Sequence, residues 1–468
     1  MGLPCVRAGF GIVESSWAAG NAVKRTGRML LPARETGGAA TESDRDPGST
    51  APAERNGALT EVLSRVGGWR LAVILLINQT LILVVAGLTA SMWGPREPFK
   101  GSWDELVIRG RDLVSQVLAN WQRWDALWYQ HIAESGYRPD DGSTAFFPLY
   151  PFLARGLSSV LGGSLVAAEL VVSSVAYVGA LWLLWKLVRV EVLRLPGRTS
   201  EDDGSRARRL LLVPVLAVLL TALAPSGFFL LAPYTESLFL LLTVASFWFM
   251  RTGHLWTAGA VGFLASLTRV QGVLLALPLA YEHVRARGTI RWLCTRQGRP
   301  PGAGILAAAL PIAGLLLLYG YQVVALGAER VGLGAQAPWG YRVVPPWDAV
   351  ASSWEYIAAS VGRPAALVEA LNLLSLVGFG GLVLLGVRRL PVSYTLYVVP
   401  SAAVLLLRET SFSPLMSVSR YCVVLFPGTM LLALWLAPRP RLAAAWLAVS
   451  FAMQLVLFQY WVRWGFVA

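Results

Sequence analysis

Residues 120–151 read NWQRWDALWYQHIAESGYRPDDGSTAFFPLYP. The stretch is too polar to span a bilayer, yet long hydrophobic runs flank it on both sides. It gathers Trp121, Trp124, Trp128, Tyr129, Tyr137, Phe146, Phe147 and Tyr150 around one carboxylate, Asp125. Rings with a polar edge suit a membrane–water interface, because the ring body prefers hydrocarbon and the edge prefers water. A carboxylate among such rings is partly withdrawn from water, the setting of a general base. The side of the membrane on which this segment lies decides how the rest of the chain is threaded.

Outward from it, the 468 residues are 55% hydrophobic and only 14% charged, with a mean hydropathy of +0.56. The apolar residues fall into runs of roughly 17–25, the length that crosses ~30 Å of hydrocarbon. In lipid every backbone group must be satisfied internally, so such runs are helices. The fold expected is an all-α polytopic membrane protein of about eleven transmembrane helices. The net charge of +13 sits in short loops between the runs. There it reports orientation by the positive-inside rule rather than a nucleic-acid partner. Cys5, Cys294 and Cys422 are far apart in sequence and show no metal-type spacing. With three histidines in all, a histidine-rich metal site is not expected. No cofactor motif is present, although a divalent metal stays open.

Residues 1–65 are rich in Gly, Ala, Ser, Thr, Pro and mixed charge, and read as a disordered cytoplasmic tail ahead of a membrane domain over 66–468. The first span covers 69–92, with Arg65 and Arg70 keeping the N-terminus inside. Residues 93–163 form a large first extracytoplasmic loop. Within it, 103–121 has helical apolar spacing and predicts an interfacial amphipathic helix. Residues 146–161, with Pro148 and Pro151, read as interfacial or re-entrant. If they do not cross, every later arginine-rich loop faces the cytoplasm. The remaining spans are expected at 164–188, 210–223, 234–250, 255–267, 270–283, 302–326, 365–387, 391–407, 419–436 and 442–462. No internal repeat of the kind many transporters carry is evident.

This threading places the polar residues that look functional on one face: Asp125, Tyr234 and Glu236 in APYTESLF, Arg269 and Gln271 in LTRVQG, Trp339 and Arg342 in PWGYR, and Arg420 with Tyr421 in SVSRY. Ionisable groups at membrane depth are costly and mark either function or a buried pair. Each has a plainer reading. Asp125 could pair with Arg123 or an outer-loop arginine, Glu236 and Arg269 could neutralise each other, and Arg420 could anchor a helix start. Tyr137, Tyr150 and Trp339 read as belt or packing aromatics, His131 as a surface histidine, and Asp140 with Asp141 as a solvated turn rather than a metal pair.

In their order, RWDALWYQHIAESGY, AFFPLYP, APYTESLF, TRVQG and SRY resemble the PIG-V-like mannosyltransferases, relatives of the GPI-anchor enzyme that adds the second mannose. That family is similar to the wider C-type glycosyltransferases. The resemblance implies a GT-C-like polytopic enzyme using a polyprenyl-phosphate sugar on the extracytoplasmic side of the plasma membrane, with a lipid-linked or glycolipid acceptor. It implies Asp125 as general base. Members often carry His where Trp128 stands and Asn where Gln271 stands, so those two positions depart from the pattern.

The chemistry is compatible with the residues. A phosphate leaving group needs little protonation, so one base that deprotonates the acceptor hydroxyl is enough. The departing phosphate calls for a cation, for which Arg269 and Arg420 are candidates, with Glu236, Tyr234, Trp124 and Tyr421 as further binding residues. The competing class is a transporter or flippase of a lipid-linked or anionic solute. It would want its charges at mid-membrane, with a path to both faces.

Overall fold

The structure, a computed structural model, describes residues 67–93, 103–194, 203–289, 302–332, 334–386, 388–410 and 412–467, together with Thr295 and Pro300. The tail expected over 1–65 lies outside the described residues. Helix α1 (Gly68–Ser91) comes first. Its 24 residues rise ~36 Å, enough for the ~30 Å of a hydrocarbon core.

The following loop is only partly helical. It contains a 3₁₀ turn (Asp104–Leu106), α2 (Leu113–Ala119), α3 (Asp125–Ser135) and α4 (Leu149–Ser158). The continuous amphipathic helix expected over 103–121 is not there. The helix starts late, at Asp112, whose carboxylate accepts the Ser115 N–H at 2.9 Å as an N-cap. Gly110 lets the Ser115 hydroxyl approach to where a Cβ would stand 2.2 Å from it. Ten residues in α4 rise ~15 Å, too little to cross by themselves.

Helix α5 (Leu165–Arg194) is the longest and the axis of the bundle. It packs against α1, α4, α6 (Asp203–Ala222) and α7 (Glu236–Arg251). Then come α8 (Leu255–Ser266), a 3₁₀ stretch (Val270–Leu275), α9 (Ala276–Arg287), and a 3₁₀ stretch (Ala303–Ala309) that runs into α10 (Leu310–Gly320) and a π turn (Tyr321–Ala325). After a 3₁₀ loop (Gly334–Trp339) follow β1 (Arg342–Val343), α11 (Pro346–Ala359), α12 (Pro364–Gly386), α13 (Val392–Leu406), β2 (Arg408–Glu409), α14 (Val418–Val424), α15 (Phe426–Leu436) and α16 (Pro440–Val462). The two short strands pair antiparallel, Arg342 with Glu409 and Val343 with Arg408.

The protein is therefore mostly helical and polytopic, but eleven full-length spans are not found among the described residues. Among the described residues five segments are long and apolar enough to cross: α1, α5, Ala303–Ala325, α12 and α16. Helices α14 and α15 add a sixth if their 77° bend is counted within one span. Each of the other expected spans is helical but shorter: Arg209–Ala222 within α6, then α7, α8, α9 and α13. Helix α7 shows why this is tolerable, since Glu236, Ser237, Phe239, Leu240, Val244 and Phe247 are all buried. A helix sheathed in protein need not match the hydrocarbon thickness, and its ends can unwind without exposing backbone to lipid.

Buried amides perform that satisfaction at one break. Gln79 of α1 and Gln454 of α16 both donate to the Ala222 carbonyl, at 2.7 and 3.1 Å, where α6 ends. Gln454 also reaches the Ala224 carbonyl at 2.9 Å. These are the orphan acceptors of a helix C-terminus, which in hydrocarbon have no water to turn to. At the far end of α7, Arg251 bridges Glu191 of α5 and Glu282 of α9, both at 2.8 Å. The site described next lies at the opposite end of α7.

Candidate active site

Asp125 is the first residue of α3, and the turn that presents it is strained. Trp124 has φ 55° and ψ −116°, a region that a residue with a Cβ enters only when its surroundings compel it. The compelling contacts are visible. The Trp124 ring meets Trp464 and Phe466 edge-on, at 6.1 and 5.1 Å between centroids. The Tyr234 hydroxyl accepts the Asp125 N–H at 3.2 Å and donates to the Arg123 carbonyl at 3.0 Å. Tyr234 thus holds the turn by its backbone and is itself fully buried.

The Asp125 carboxylate is 29% exposed. Its Oδ2 receives Arg420 Nη1 at 2.9 Å, while no hydrogen bond to Oδ1 is recorded among the described residues. Arg420, in α14, also places Nε 2.9 Å from Oε1 of Glu236, an ion pair without hydrogen-bond alignment. The same Glu236 oxygen takes Arg269 Nη1 at 2.5 Å. Glu236 is 1% exposed and starts α7, so two buried cations share one buried carboxylate. Both plainer readings therefore hold as geometry: Asp125 is paired, with Arg420 rather than Arg123, and Glu236 does neutralise Arg269. Arg123 instead donates to the Val462, Ala119 and Gln122 carbonyls. Tyr421 lies among three guanidinium groups, with Arg269, Arg408 and Arg420 at 4.4, 4.5 and 5.7 Å from its ring.

These side chains line one cavity of about 900 Å³. Asp125, Trp124, Arg269, Arg420, Tyr421, Gln271 and Arg342 all face it, and Glu236 and Tyr234 stand behind them. Trp339, read from sequence as packing, is also a lining residue. Trp128 stacks on Phe146 at 5.2 Å, and Trp339 meets the two rings edge-on at 5.6 and 5.9 Å, so part of the cavity wall is aromatic. Gly142, at φ 91°, passes so close to Trp339 and Trp128 that a Cβ would stand 3.1 and 3.2 Å from them.

Other expectations need correction. His131 is not a surface histidine. It is 4% exposed, stacks on Trp103 at 3.5 Å, and pairs through Nε2 with Asp141 at 2.9 Å. Asp141 also accepts the Ser143 N–H at 2.8 Å. Burial tends to raise its pKa, but the Ser143 and His131 donors outweigh that and hold it below the usual carboxylate value. The Asp140–Asp141 turn is thus a pinned corner. Among the described residues no group of three or more His, Cys, Asp and Glu is placed to hold a metal ion.

Sequence reading missed Arg408, Tyr341 and Glu409. Arg408 lines the cavity and lies over the Tyr341 ring at 5.2 Å, and Glu409 is ion-paired with Arg342. Burial pushes the Tyr341 hydroxyl up to about 12 against the pull of Arg408. A signal was available: in the expected threading, RET at 408–410 puts an arginine outside, where the positive-inside rule leads one to expect few.

Comparison with known proteins bears on this arrangement. Residues 72–285 match the profile of a family described as Mannosyltransferase (PIG-V). Three relatives are called GPI alpha-1,6-mannosyltransferase 2. The Rattus norvegicus protein is 30% identical over 183 residues, 38% of this chain and 34% of the relative. The Cricetulus griseus protein is 28% identical over 257 residues, 50% and 49%. The Homo sapiens protein is 29% identical over 165 residues, 35% and 31%. The matched part thus spans between about a third and a half of these relatives. No solved structure matches. The profile match covers residues 72–285, which carry Asp125, Tyr234, Glu236 and Arg269, and that part of the chain is similar to the mannosyltransferase (PIG-V) family.

Proposed function

We propose that the protein is an integral-membrane mannosyltransferase. It would transfer mannose from a polyprenyl-phosphate mannose to a glycolipid or similar acceptor on the extracytoplasmic face of the plasma membrane, with inversion. The observation that carries this is the half-committed carboxylate: Asp125 has Oδ2 fixed by Arg420 and no hydrogen bond to Oδ1 among the described residues, at the wall of an arginine-lined, aromatic-walled cavity.

In the reaction Oδ1 removes the proton of the acceptor hydroxyl as its oxygen bonds to the anomeric carbon. The bond from that carbon to the phosphate oxygen breaks, and its electron pair leaves with the polyprenyl phosphate. The proton passes from Asp125 to solvent. Arg420 holds the carboxylate at a fixed angle, so no reorganisation is needed at the moment of transfer. Arg269 and Arg420 contribute positive field towards the departing phosphate, and Tyr234 and Glu236 keep these groups in place. The aromatic wall of Trp124, Trp128 and Trp339 suits the apolar face of a sugar.

The test is transfer of radiolabelled mannose from polyprenyl-phosphate mannose to membrane lipid by the purified protein. Asp125→Asn should lower turnover at least ~100-fold, as expected for removing a positioned base, with donor binding retained. A well-folded Asp125→Asn protein with near-normal turnover would sink the assignment. Movement of the donor across the membrane without transfer would favour the transporter reading instead.

A further inference from the structure

We propose that Arg408 is the residue that receives the anionic head of the donor. The inference rests on the donor class proposed above and adds the contact residue.

The arginines of the cavity are not equivalent. Arg269 is committed to Glu236, Arg420 to both Asp125 and Glu236, and Arg342 to Glu409. Arg408 is 9% exposed and has no carboxylate within ion-pair distance among the described residues. Its neighbour in sequence, Glu409, is the one already taken by Arg342. Arg408 is held by ring faces instead, Tyr341 at 5.2 Å and Tyr421 at 4.5 Å, with the Tyr421 hydroxyl also in reach. Stacking fixes the plane of a guanidinium but leaves its N–H edge open. Nη2 of Arg408 is buried and has no hydrogen-bond partner among the described residues. A buried donor left unmade is costly, and an anion arriving at that edge relieves it through the planar fork that suits phosphate.

The backbone keeps Arg408 at this position. It lies in β2, paired with Val343 of β1, and the Val344 N–H donates to the Leu407 carbonyl at 3.1 Å. The loop that carries Trp339 and Tyr341 over the cavity is therefore bolted to the strand that carries Arg408.

The experiment measures binding to the purified full-length protein in detergent with three probes: a short-chain isoprenyl phosphomannose, the isoprenyl mannoside that lacks the phosphate, and inorganic phosphate. Wild type should bind the phosphomannose about 10- to 100-fold tighter than the mannoside, the range of a charge-assisted hydrogen bond. Arg408→Gln should abolish that preference and Arg408→Lys should keep part of it. Arg408→Gln and Arg408→Lys should each give a monodisperse peak on size-exclusion chromatography, so that lost binding is read on folded protein. An unchanged preference in Arg408→Gln would overturn the inference while leaving the donor reading intact. Arg408-dependent binding of inorganic phosphate without any for the phosphomannose would keep the anion site and overturn the donor reading. No binding of either anion by wild type would overturn both.

Discussion

Glu236 shows how much one side chain can carry. It sits 1% exposed between Arg269 and Arg420, and its Oε2 has no hydrogen-bond partner among the described residues. Glu236→Gln keeps the shape but leaves two buried guanidinium groups facing an amide. Removing one member of a buried ion pair costs about 3–5 kcal/mol, so this variant should unfold at clearly lower denaturant or temperature in detergent. An unfolding curve that overlays the wild type would mean that the arginines are satisfied elsewhere. Asp125→Asn should be far milder in stability, because that carboxylate is 29% exposed and water can replace what is lost. The contrast separates a structural carboxylate from a reactive one by measurement. Asp125, Glu236, Arg269 and Arg420 were legible in the sequence because a charge inside or beside an apolar run is conspicuous. Their pairing was not, since Asp125 and Arg420 are 295 positions apart. Arg408 was hidden because an arginine at the end of an apolar run reads as a boundary marker.

At the scale of elements, apolar runs located the helices and concealed their breaks. Residues 419–436 read as one span, yet the chain turns by 77° between α14 and α15. The clue was Pro427, which occupies the first turn of α15, where a missing N–H does no harm and where a helix starts rather than continues. The TRVQG stretch hides a second break. Arg269 is extended at φ −157° and ψ 149° between α8 and the 3₁₀ stretch, and Gly272 folds back against the end of α8. A Cβ on Gly272 would stand 2.4 Å from the Ala265 carbonyl carbon and from the Ser266 nitrogen, backbone atoms that cannot step aside. Gly272→Ala should therefore displace the turn that aims Arg269. The expected outcome is reduced folded yield on size-exclusion chromatography and lower transferase activity in whatever folds. Full yield with full activity would show that the turn has slack that the packing does not reveal.

For the whole molecule, all the elements that supply the cavity bring their ends to one side of the bundle, and the Arg251–Glu191–Glu282 bridge closes the other. If the arginine-rich loops face the cytoplasm, the turn at Asp140 faces outward and the end of α9 inward. Asp140 and Ala286 are both exposed. In a cysteine-free background, Asp140→Cys should react with an impermeant thiol reagent in intact cells, and Ala286→Cys should react only after permeabilisation. The reverse pattern would invert the architecture. The bend between α14 and α15 also constrains how the protein is made. Helix α14 has seven residues and contains Arg420, a residue that burdens insertion of a helix centre by about 2.5–3.5 kcal/mol. It has little to recommend it to the insertion machinery as a segment in its own right. Its lodging is prepared by α12, where Glu369 accepts the Leu415 N–H at 2.8 Å and Asn372 accepts the Ser419 N–H at 3.0 Å. A ribosome that has just released α12 has thus left Glu236 in the bilayer without its second arginine. The cavity is therefore completed only after α12 is in place, when α14 settles against it.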